Sequence, residues 1–377
     1  MKILFFIPFA PDFDPQTPYE RPLGGTESAV AYLSAELARA GATVTLLNPR
    51  APERVVQGVR VVPPQAFSPD QVRSQDLVVV VSGAFGQKLR QSIGPSTPMV
   101  LWCHLMSDQP GVRKLLEQEE MLTWDGFVTV SRWQAERYHQ HLGVSLDKVH
   151  VIGNAISPAF GREPLQPAWF ETGAAPSLFY SSTPFRGLDR LLLAYPTIRA
   201  AVPDVTLKVF AGMALYGEDP NTDPYRYLYD LTRALPGADY VGPVPQQKLA
   251  EAYRDAAALA YPSNFEETSC ITVMEAMASG ADVLTTALGA LPETLNGHGR
   301  MIAPTDLSKA LVRTPFDILP YADMVIGALK EARANPAEAA ARRAARAAYA
   351  REAYSWSTRA KQWIALAETL VARKRAA

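Results

Sequence analysis

Cysteine and histidine are scarce in this chain of 377 residues, which has two cysteines and five histidines. Cys103 and Cys270 lie far apart and belong to no Cys-x-x-Cys pair or Cys/His cluster. The sequence therefore indicates neither structural zinc nor a disulfide framework. A reduced cytoplasmic protein without a metal site is the simplest interpretation.

Long apolar runs are also missing, and no stretch approaches the roughly 18 to 20 apolar residues of a membrane-spanning helix. Residues 3–7 form a short apolar run that resembles a signal-peptide core, but Pro8 interrupts it and no small-x-small cleavage site follows. A buried first strand of a parallel sheet explains the same residues better, because such strands are covered on both faces.

The chain has no excess of one charge and no dinucleotide fingerprint. Its formal net charge is -1, which gives no electrostatic reason to expect a nucleic-acid partner. A Gly-x-Gly-x-x-Gly motif is absent, which disfavours a nicotinamide dehydrogenase. Arginines are concentrated in the helical tail, residues 336–377, where we interpret them as a solvated face. A weak peripheral contact with an anionic membrane surface is the alternative.

Short apolar runs alternate with helical patterns along the chain, which predicts an α/β protein with parallel sheets. We expect strands at residues 3–7, 44–47, 77–81, 99–102, 126–130, 149–152, 177–180, 206–210, 240–241, 258–261 and 282–285. Ser131 and Gln134 have the spacing of a capping box at the start of a helix.

The length of the chain favours two domains. Periodicity is lost around residues 158–176, which are rich in proline, glycine and alanine. We therefore expect an N-terminal Rossmann-like domain at 1–160, a linker at 161–176, a C-terminal Rossmann-like domain at 177–345 and terminal helices at 346–377. Ligands of such domains bind at the carboxyl ends of the strands.

Several candidate residues follow predicted strands. Glu267 lies in the loop after residues 258–261, and Glu275 lies in the helix that follows. The start of that helix offers backbone N–H groups to a diphosphate, and the carboxylates could accept hydrogen bonds from hydroxyls. Gly24 follows the first strand, and His104 follows the strand at 99–102. Each also has a purely structural explanation: surface acids, a tight turn and a structural histidine.

The order of these motifs resembles family 4 of the retaining glycosyltransferases, which have the GT-B fold: two Rossmann-like domains facing across a cleft, with a last helix that crosses back to the first domain. The resemblance is strongest at residues 240–300, where a Pro-Ser is followed by Glu267, seven residues, Glu275 and Ala-Met-Ala. It implies that Glu267 and His104 contact the donor sugar and that Glu275 contacts the ribose, with Glu266 as the alternative to Glu267. The implied donor-binding set is Gly24, Gly25, Thr26, Arg186, Gly187, Gly212, Glu267, Thr268, Ser269, Cys270, Ile271 and Glu275. Thr26 could also cap the helix after the first strand.

The chain departs from the family pattern at the diphosphate site. Arg186 stands in place of the family's lysine, and Ser181 stands where the family has an arginine. One guanidinium can hold a diphosphate through two bonds, and Arg190 is either a second contributor or a helix-surface charge. Thr268, Ser269 and Cys270 replace the usual glycine and proline.

Further positions resemble the family less specifically. Asp108 is a polar candidate near His104, and the loop at residues 291–293 is expected beside the nucleotide base. Asn154 is expected to act as a turn and hinge residue. Trp356 belongs to an aromatic-Ser-Trp motif with a structural role.

The resemblance implies a retaining, metal-independent transferase without a cofactor. Its donor would be a nucleotide-sugar, with UDP slightly favoured over GDP, and its acceptor a glycan, a lipid-linked glycan or a small molecule. Arg186 would stabilise the departing diphosphate. Bacterial polysaccharide biosynthesis in the cytoplasm, or at the inner face of the membrane, is the expected setting. A GT-B sugar-nucleotide epimerase and a non-catalytic sugar-nucleotide or glycan-binding protein are the alternatives.

Overall fold

Two units make up the chain in the computed structural model, which describes residues 1–161, 163–216, 222–303 and 318–376. The first unit joins Met1–Ala155 to Ser355–Ala377, and the second is Ile156–Tyr354. Residues 346–354, expected with the terminal helices, therefore belong to the second unit, as does the segment expected to be a linker. Among the described helices, none is long and apolar enough to cross a membrane.

The first unit contains an eight-stranded sheet. Its strands are β1 (Lys2–Phe6), β2 (Thr43–Leu47), β3 (Arg54–Val56), β4 (Val59–Val62), β5 (Leu77–Val81), β6 (Met99–Cys103), β7 (Gly126–Thr129) and β8 (Val149–Val151). They are ordered β3-β4-β2-β1-β5-β6-β7-β8, and only the pairing of β3 with β4 is antiparallel. The central strands β5 and β6 are buried along their whole length, as expected for parallel strands covered on both faces.

Six helices from the first part of the chain surround this sheet, together with the C-terminal helix. They are α1 (Thr17–Glu20), α2 (Gly25–Arg39), α3 (Pro69–Arg73), α4 (Gly86–Ile93), α5 (Gln118–Met121) and α6 (Arg132–Leu142). Ser131 caps α6 by accepting the N–H of Gln134 at 3.0 Å. The predicted capping box is incomplete, because the Gln134 side chain accepts the N–H of Val130 instead.

The second unit contains a six-stranded parallel sheet. Its strands are β9 (Ser177–Tyr180), β10 (Thr206–Val209), β11 (Ala238–Tyr240), β12 (Ala258–Tyr261), β13 (Asp282–Thr286) and β14 (Arg300–Ile302), in the order β11-β10-β9-β12-β13-β14. Each strand expected from the sequence overlaps an observed one, whereas β3, β4 and β14 were not expected. The α/β class with two Rossmann-like sheets is thereby confirmed.

The helices of the second unit are α7 (Trp169–Thr172), α8 (Leu188–Ala201), α9 (Arg226–Ala234), α10 (Gln246–Tyr253), α11 (Ile271–Ala278), α12 (Leu291–Leu295), α13 (Leu319–Ala334) and α14 (Pro336–Ala353). The tail expected to be continuously helical is interrupted at Tyr354 and Ser355, after which α15 (Trp356–Ala376) begins. Arg346 of α14 is only 8% exposed, so the interpretation of the tail arginines as one solvated face was wrong for this residue.

Each sheet has one switch point, where the strand order reverses direction. In the first sheet β1 lies between β2 and β5, and in the second β9 lies between β10 and β12. Connections leave β1 and β5, or β9 and β12, in opposite directions, which opens a crevice at their carboxyl ends. Ligands of doubly wound sheets bind there.

The C-terminal helix α15 is part of the first unit's core. Trp363 is fully buried, and its ring lies 5.1 Å from that of Trp102 and 6.2 Å from that of Phe5. Trp356, at the start of the helix, packs against Tyr32. The last helix therefore completes the first unit, and the expected structural role of Trp356 agrees with these contacts.

We expect Trp363→Ala to lower the free energy of unfolding of the first unit by about 3 to 5 kcal/mol, because it leaves a large cavity between Trp102 and Phe5. Urea unfolding followed by tryptophan fluorescence measures the loss. Lys361→Ala, an exposed position on the same helix, is the control and should change stability by less than about 0.5 kcal/mol. Equal effects of the two variants would contradict the core role of α15.

Candidate active site

Arg186 and Glu267 meet at the carboxyl ends of β9 and β12, the strands that flank the switch point of the second sheet. Arg186 ends the 3-10 turn Pro184–Arg186 after β9. Its Nη1 donates to both carboxylate oxygens of Glu267, at 3.0 and 3.1 Å. The guanidinium also lies over the ring of Phe265, 4.5 Å from its centre. Two of the three ionic residues predicted for the donor site are thus in direct contact.

The carboxylate of Glu267 is held from several sides. The residue is 4% exposed, and the hydroxyl of Tyr261 donates to it in addition to Arg186. Its carbonyl accepts the N–H of Ala290 at 2.8 Å. Gly289 has a φ of +62°, and a Cβ there would lie 2.6 Å from the nitrogen of Glu267. Neither Tyr261 nor Gly289 was identified from the sequence, because both act through contacts that only the fold creates.

Gly187 allows the loop after β9 to approach the loop after β12. Its φ is +106°, a conformation that favours glycine, and a Cβ would lie 2.2 Å from the carbonyl oxygen of Pro262. The glycine therefore fixes the spacing between the two loops that carry Arg186 and Glu267. Its predicted place in the donor site has this steric basis.

Ser181 occupies a neutral hydrogen-bonded cluster. Its hydroxyl lies 2.6 Å from that of Tyr253, and the hydroxyl of Thr272 donates to its carbonyl. The side chain is buried. The position that carries an arginine in the resembling family is therefore filled by uncharged groups.

Arg190 is buried in the first turn of α8, with 6% exposure, so the alternative that it is a helix-surface charge was wrong. Burial lowers its pKa from the ordinary arginine value, and the nearby Asp189 raises it. The guanidinium remains charged at neutral pH in either case.

The first turn of α11 lies beside the ion pair. Cys270 is the N-cap residue and forms no side-chain cap, so the turn presents backbone N–H groups. Cys270 itself is buried, and burial raises the pKa of its thiol well above the ordinary value. The predicted segment Thr268, Ser269, Cys270 and Ile271 thus forms the entry to a helix with its positive dipole end at the carboxyl edge of the sheet.

Glu275 lies one turn further along α11 and is 2% exposed. Its Oε1 accepts the N–H of Ser157 at 3.1 Å. Burial raises the pKa of this carboxyl to about 8, and the hydrogen bond from Ser157 opposes the shift. The carboxyl is therefore mostly protonated at neutral pH when no donor is bound.

The remaining predicted positions of the second unit differ in accessibility. Glu266 is exposed, unlike its neighbour Glu267. Gly212 is buried after β10, where a Cβ would lie 2.8 Å from Pro243. Asp223, which the sequence did not single out, fixes the following loop by accepting the N–H of Tyr225 and the hydroxyl of Tyr229, both at 2.8 Å. The expected base-pocket loop at 291–293 forms the first turn of α12.

His104 follows β6 in the first unit. Its Nε2 lies 3.3 Å from Oδ1 of Asn154, and its ring centre lies 4.5 Å from that of Trp102. Burial lowers the pKa of the imidazole to about 4. His104 is therefore neutral at physiological pH, so one of its ring nitrogens donates a hydrogen bond and the other accepts one.

Asn154, expected to act as a turn and hinge residue, also forms contacts with two distant residues. Its amide oxygen faces the ring of His104, while its carbonyl accepts a bond from Nε of Arg359 at 3.4 Å. With the amide in this orientation, Nε2 of His104 is the donor, so Nδ1 is the acceptor. His104 and Asn154 are 50 positions apart, so their contact could not be predicted from sequence spacing. Asp108 is exposed nearby.

The loops at the first unit's switch point contain the predicted glycines. Gly24 is the N-cap residue of α2, and Gly25 begins the helix. The expectation that Thr26 caps the helix was wrong, because Thr26 lies inside its first turn. After β5, Ser82 has a φ of +54° and accepts the N–H of His104 at 3.3 Å. A non-glycine residue in this conformation is strained and is common at functional sites.

Comparison with known proteins identifies the second unit. Residues 177–317 match the family model described as Glycosyl transferases group 1. The second unit contains a group 1 glycosyltransferase domain. A 109-residue segment is 31% identical to the D-inositol 3-phosphate glycosyltransferase of Corynebacterium glutamicum, covering 29% of this chain and 26% of that protein. The match thus spans about a quarter of the length of this curated relative.

Solved structures show the fold of the whole chain. Sucrose-phosphate synthase from Thermosynechococcus elongatus is similar with a TM-score of 0.70 and 18% identity, over 99% of this chain and 100% of that one. HepE of Anabaena, solved in complex with UDP-glucose, is similar with a TM-score of 0.66 and 16% identity over the same shares. The chain has the GT-B glycosyltransferase fold, as predicted.

The group 1 domain contains the Arg186–Glu267 pair, the first turn of α11 and Glu275. Among the residues that the structure describes, no group of three or more His, Cys, Asp or Glu side chains is arranged to hold a metal ion. The groups that this edge offers to a ligand include a guanidinium, a shielded carboxylate and backbone N–H groups.

We expect Asn154→Asp to raise the pKa of His104 by about one or more, because a carboxylate beside Nε2 stabilises the imidazolium. NMR titration of the His104 ring measures the change. Asp108→Asn, which removes an exposed carboxylate nearby in sequence, should leave that pKa unchanged. An unaltered titration in Asn154→Asp would show that the two side chains are not in contact.

We expect Glu275→Gln to abolish a pH dependence of stability. The folded carboxyl has a pKa of about 8 against an ordinary value of 4.5, so the folded state binds the extra proton and loses stability as pH rises from 4.5 to 8. The difference amounts to about 1.4 kcal/mol for each pH unit between the two pKa values. Glutamine keeps the acceptor for Ser157 without titrating.

Urea unfolding of the wild type and of Glu275→Gln between pH 5 and pH 8.5 measures this effect. The free energies of unfolding should converge at low pH and diverge in favour of the variant at high pH. Glu275→Ala, which removes the acceptor, should be destabilised throughout. Parallel curves for the wild type and the glutamine variant would contradict the raised pKa.

Proposed function

We propose that this protein transfers a sugar from a nucleoside-diphosphate sugar to an acceptor hydroxyl, with retention of anomeric configuration and without a metal. The observation that carries the proposal is the Arg186–Glu267 pair at the switch point, beside the uncapped first turn of α11. A guanidinium and helix N–H groups bind phosphate, and a carboxylate accepts bonds from sugar hydroxyls. The group 1 domain and the GT-B fold support the same function.

Each part of the proposed donor is bound by a different group of the protein. Arg186 and the N–H groups of Thr268 to Ile271 hold the diphosphate, and Glu267 orients the sugar through its hydroxyls. Tyr261 keeps one bond to Glu267, so the carboxylate stays oriented while Arg186 turns from it to the phosphate. Glu275 accepts from the ribose, and His104 offers a neutral imidazole to the sugar.

The proposed transfer is a front-side displacement. The bond between the anomeric carbon and the phosphate oxygen breaks, and the acceptor oxygen forms a bond to the same face of that carbon. The acceptor proton passes to the departing phosphate oxygen, so atoms and charge balance without a protein base. Arg186 then stabilises the negative charge that develops on the diphosphate.

UDP-sugars are the first donors to test, because the similar HepE structure contains UDP-glucose. The proposal covers acceptors of three kinds, namely glycans, lipid-linked glycans and small molecules. It places the protein in family 4 and in bacterial polysaccharide biosynthesis in the cytoplasm or at the inner membrane face. Peripheral membrane contact through the tail arginines belongs to the same proposal.

A non-catalytic sugar-nucleotide-binding protein is the second candidate, and Ser181 favours it. The neutral cluster of Ser181, Tyr253 and Thr272 replaces one of the two cations that the resembling family uses to offset the diphosphate charge. Binding tolerates this loss better than catalysis does, because the charge on the diphosphate increases as the glycosidic bond breaks.

We expect Arg186→Ala to lower the rate of nucleotide release from the donor by about a hundredfold or more, since it removes the side-chain cation from the leaving group. Thermal-shift screening with UDP, GDP, ADP and their sugar conjugates first selects the donor. Release of the selected nucleotide, with and without acceptor, then measures activity.

Arg233→Ala is the matched control, because Arg233 is exposed on α9, where it pairs with Asp230 and lies over the ring of Tyr240. Its rate and melting temperature should be close to those of the wild type. Wild-type rates in Arg186→Ala would contradict the catalytic role. Tight nucleotide binding with no release from any sugar conjugate would favour the second candidate.

A further inference from the structure

A cavity of about 370 Å³ lies in the second unit, away from the ion pair. Its lining includes Ser177, Thr206, Asp282 and Arg300, the first residues of β9, β10, β13 and β14. The cavity therefore opens at the amino edge of the sheet, opposite the edge where Arg186 and Glu267 lie. Strands of four residues separate the two edges by about 13 Å.

Cations predominate in the lining of this amino-edge cavity. They are Lys208, Arg254, Arg300, Arg342, Arg343 and Arg346, whereas the lining carboxylates are Asp255 and Asp282. Arg346 donates to Asp282 at 2.8 Å, and Glu331 forms ion pairs with both Arg300 and Arg342. Arg254 pairs with Glu163 and Arg342 also pairs with Glu338, so the lining charges without a carboxylate partner among the described residues are those of Lys208 and Arg343.

Arg343 is one of the two lining cations that have no carboxylate partner among the described residues. Its Nη1 donates to the carbonyl of Gln166 at 2.7 Å, and no carboxylate among the described residues lies within ion-pair distance of it. Burial lowers the pKa of Arg343, Glu171 opposes this, and the nearby Arg346 and Arg351 lower it further. A bound anion would offset this repulsion.

Two buried polar atoms of the lining lack partners. The hydroxyl of Ser177 and Nε of Arg346 form no hydrogen bond with any residue that the structure describes, and both residues are more than nine-tenths buried. Buried polar groups in folded proteins are normally paired, so a ligand that reached these two atoms would complete their bonding. Phosphate oxygens accept bonds from both a hydroxyl and a guanidinium.

Aromatic side chains form another part of the lining. Trp169 and Phe170 of α7 both line the cavity and are half-buried. They give the cavity an apolar surface beside its cationic one, and its volume is in the range of small-molecule sites. A ligand with a phosphate and a ring therefore matches the lining better than a free inorganic ion.

We propose that the amino-edge cavity is a second binding site, which takes a small phosphate ester such as a sugar phosphate or a nucleoside monophosphate. Arg343 and Arg346 bind the phosphate, Ser177 donates to one of its oxygens, and the ring lies against Trp169 and Phe170. The site is independent of the proposed transfer reaction, because it shares no side chain with the Arg186–Glu267 pair.

Calorimetric titration of the full chain with glucose 6-phosphate, AMP and pyrophosphate tests this site. The titrations use Arg186→Ala as background, so that phosphate binding at the donor edge is weakened. At least one ester should bind, and glucose and adenosine without phosphate should not. Stronger binding of AMP indicates a nucleotide ligand, and stronger binding of glucose 6-phosphate indicates a sugar phosphate.

Arg343→Gln in the same background should weaken ester binding by about tenfold to a hundredfold, the usual effect of losing a bond from a charged group. Ser177→Ala should weaken it less, and Arg233→Gln, an exposed arginine outside the cavity, should have no effect. Melting temperatures without ligand show that each variant is folded. Absence of ester binding, tighter binding of pyrophosphate than of either ester, or equal binding by Arg343→Gln and Arg233→Gln would overturn the proposal.

Discussion

The structure depends on the constraint that parallel strands be covered on both faces. Strands such as β5 and β6 have every residue buried, so helices must pack on either side and each connection must cross the sheet. In each sheet the carboxyl ends of the parallel strands then face one edge. The loops that leave this edge carry His104 in the first unit and Arg186 and Glu267 in the second. A single packing requirement thus places residues from distant parts of the sequence at the same edge of their sheets.

Electrostatics explain why Glu267 can be buried beside Arg186 when no donor is present. A buried carboxylate without a partner would be costly, and Glu267 receives bonds from both Arg186 and Tyr261. The pair holds in place the two charged groups that the proposed reaction needs. Gly187 and Gly289 position them, because each lets its loop approach the loop that carries Glu267. Ser181 has no charge, so it adds no cation beside this pair. Arg186 supplies the guanidinium that contacts Glu267.

The sequence predicted the elements better than the contacts. The strands at 77–81, 177–180 and 258–261 were located to the residue, because apolar periodicity reflects burial directly. β4 was missed because Arg60 interrupts its apolar run, and β3 and β14 have three residues each. Strand ends also indicated His104, Arg186 and Glu267. Partners such as Asn154, Tyr261 and Gly289 could not be predicted, since their roles arise from distances across the fold.

The two edges of the second sheet attract anions through different groups, namely backbone N–H groups at the carboxyl edge and cationic side chains at the amino edge. At the carboxyl edge, α11 begins, and its N–H groups provide partial positive charge without any side chain. At the amino edge, α8, α10 and α11 end, so their carbonyls contribute negative charge and an anion site there requires cationic side chains. Arg346 and Arg351 bond to the carbonyls of Gly280 and Ala278 at the end of α11. The charges of Arg346 and Arg351 thus offset the negative end of α11. Arg343 donates instead to the carbonyl of Gln166, so its charge can attract a ligand.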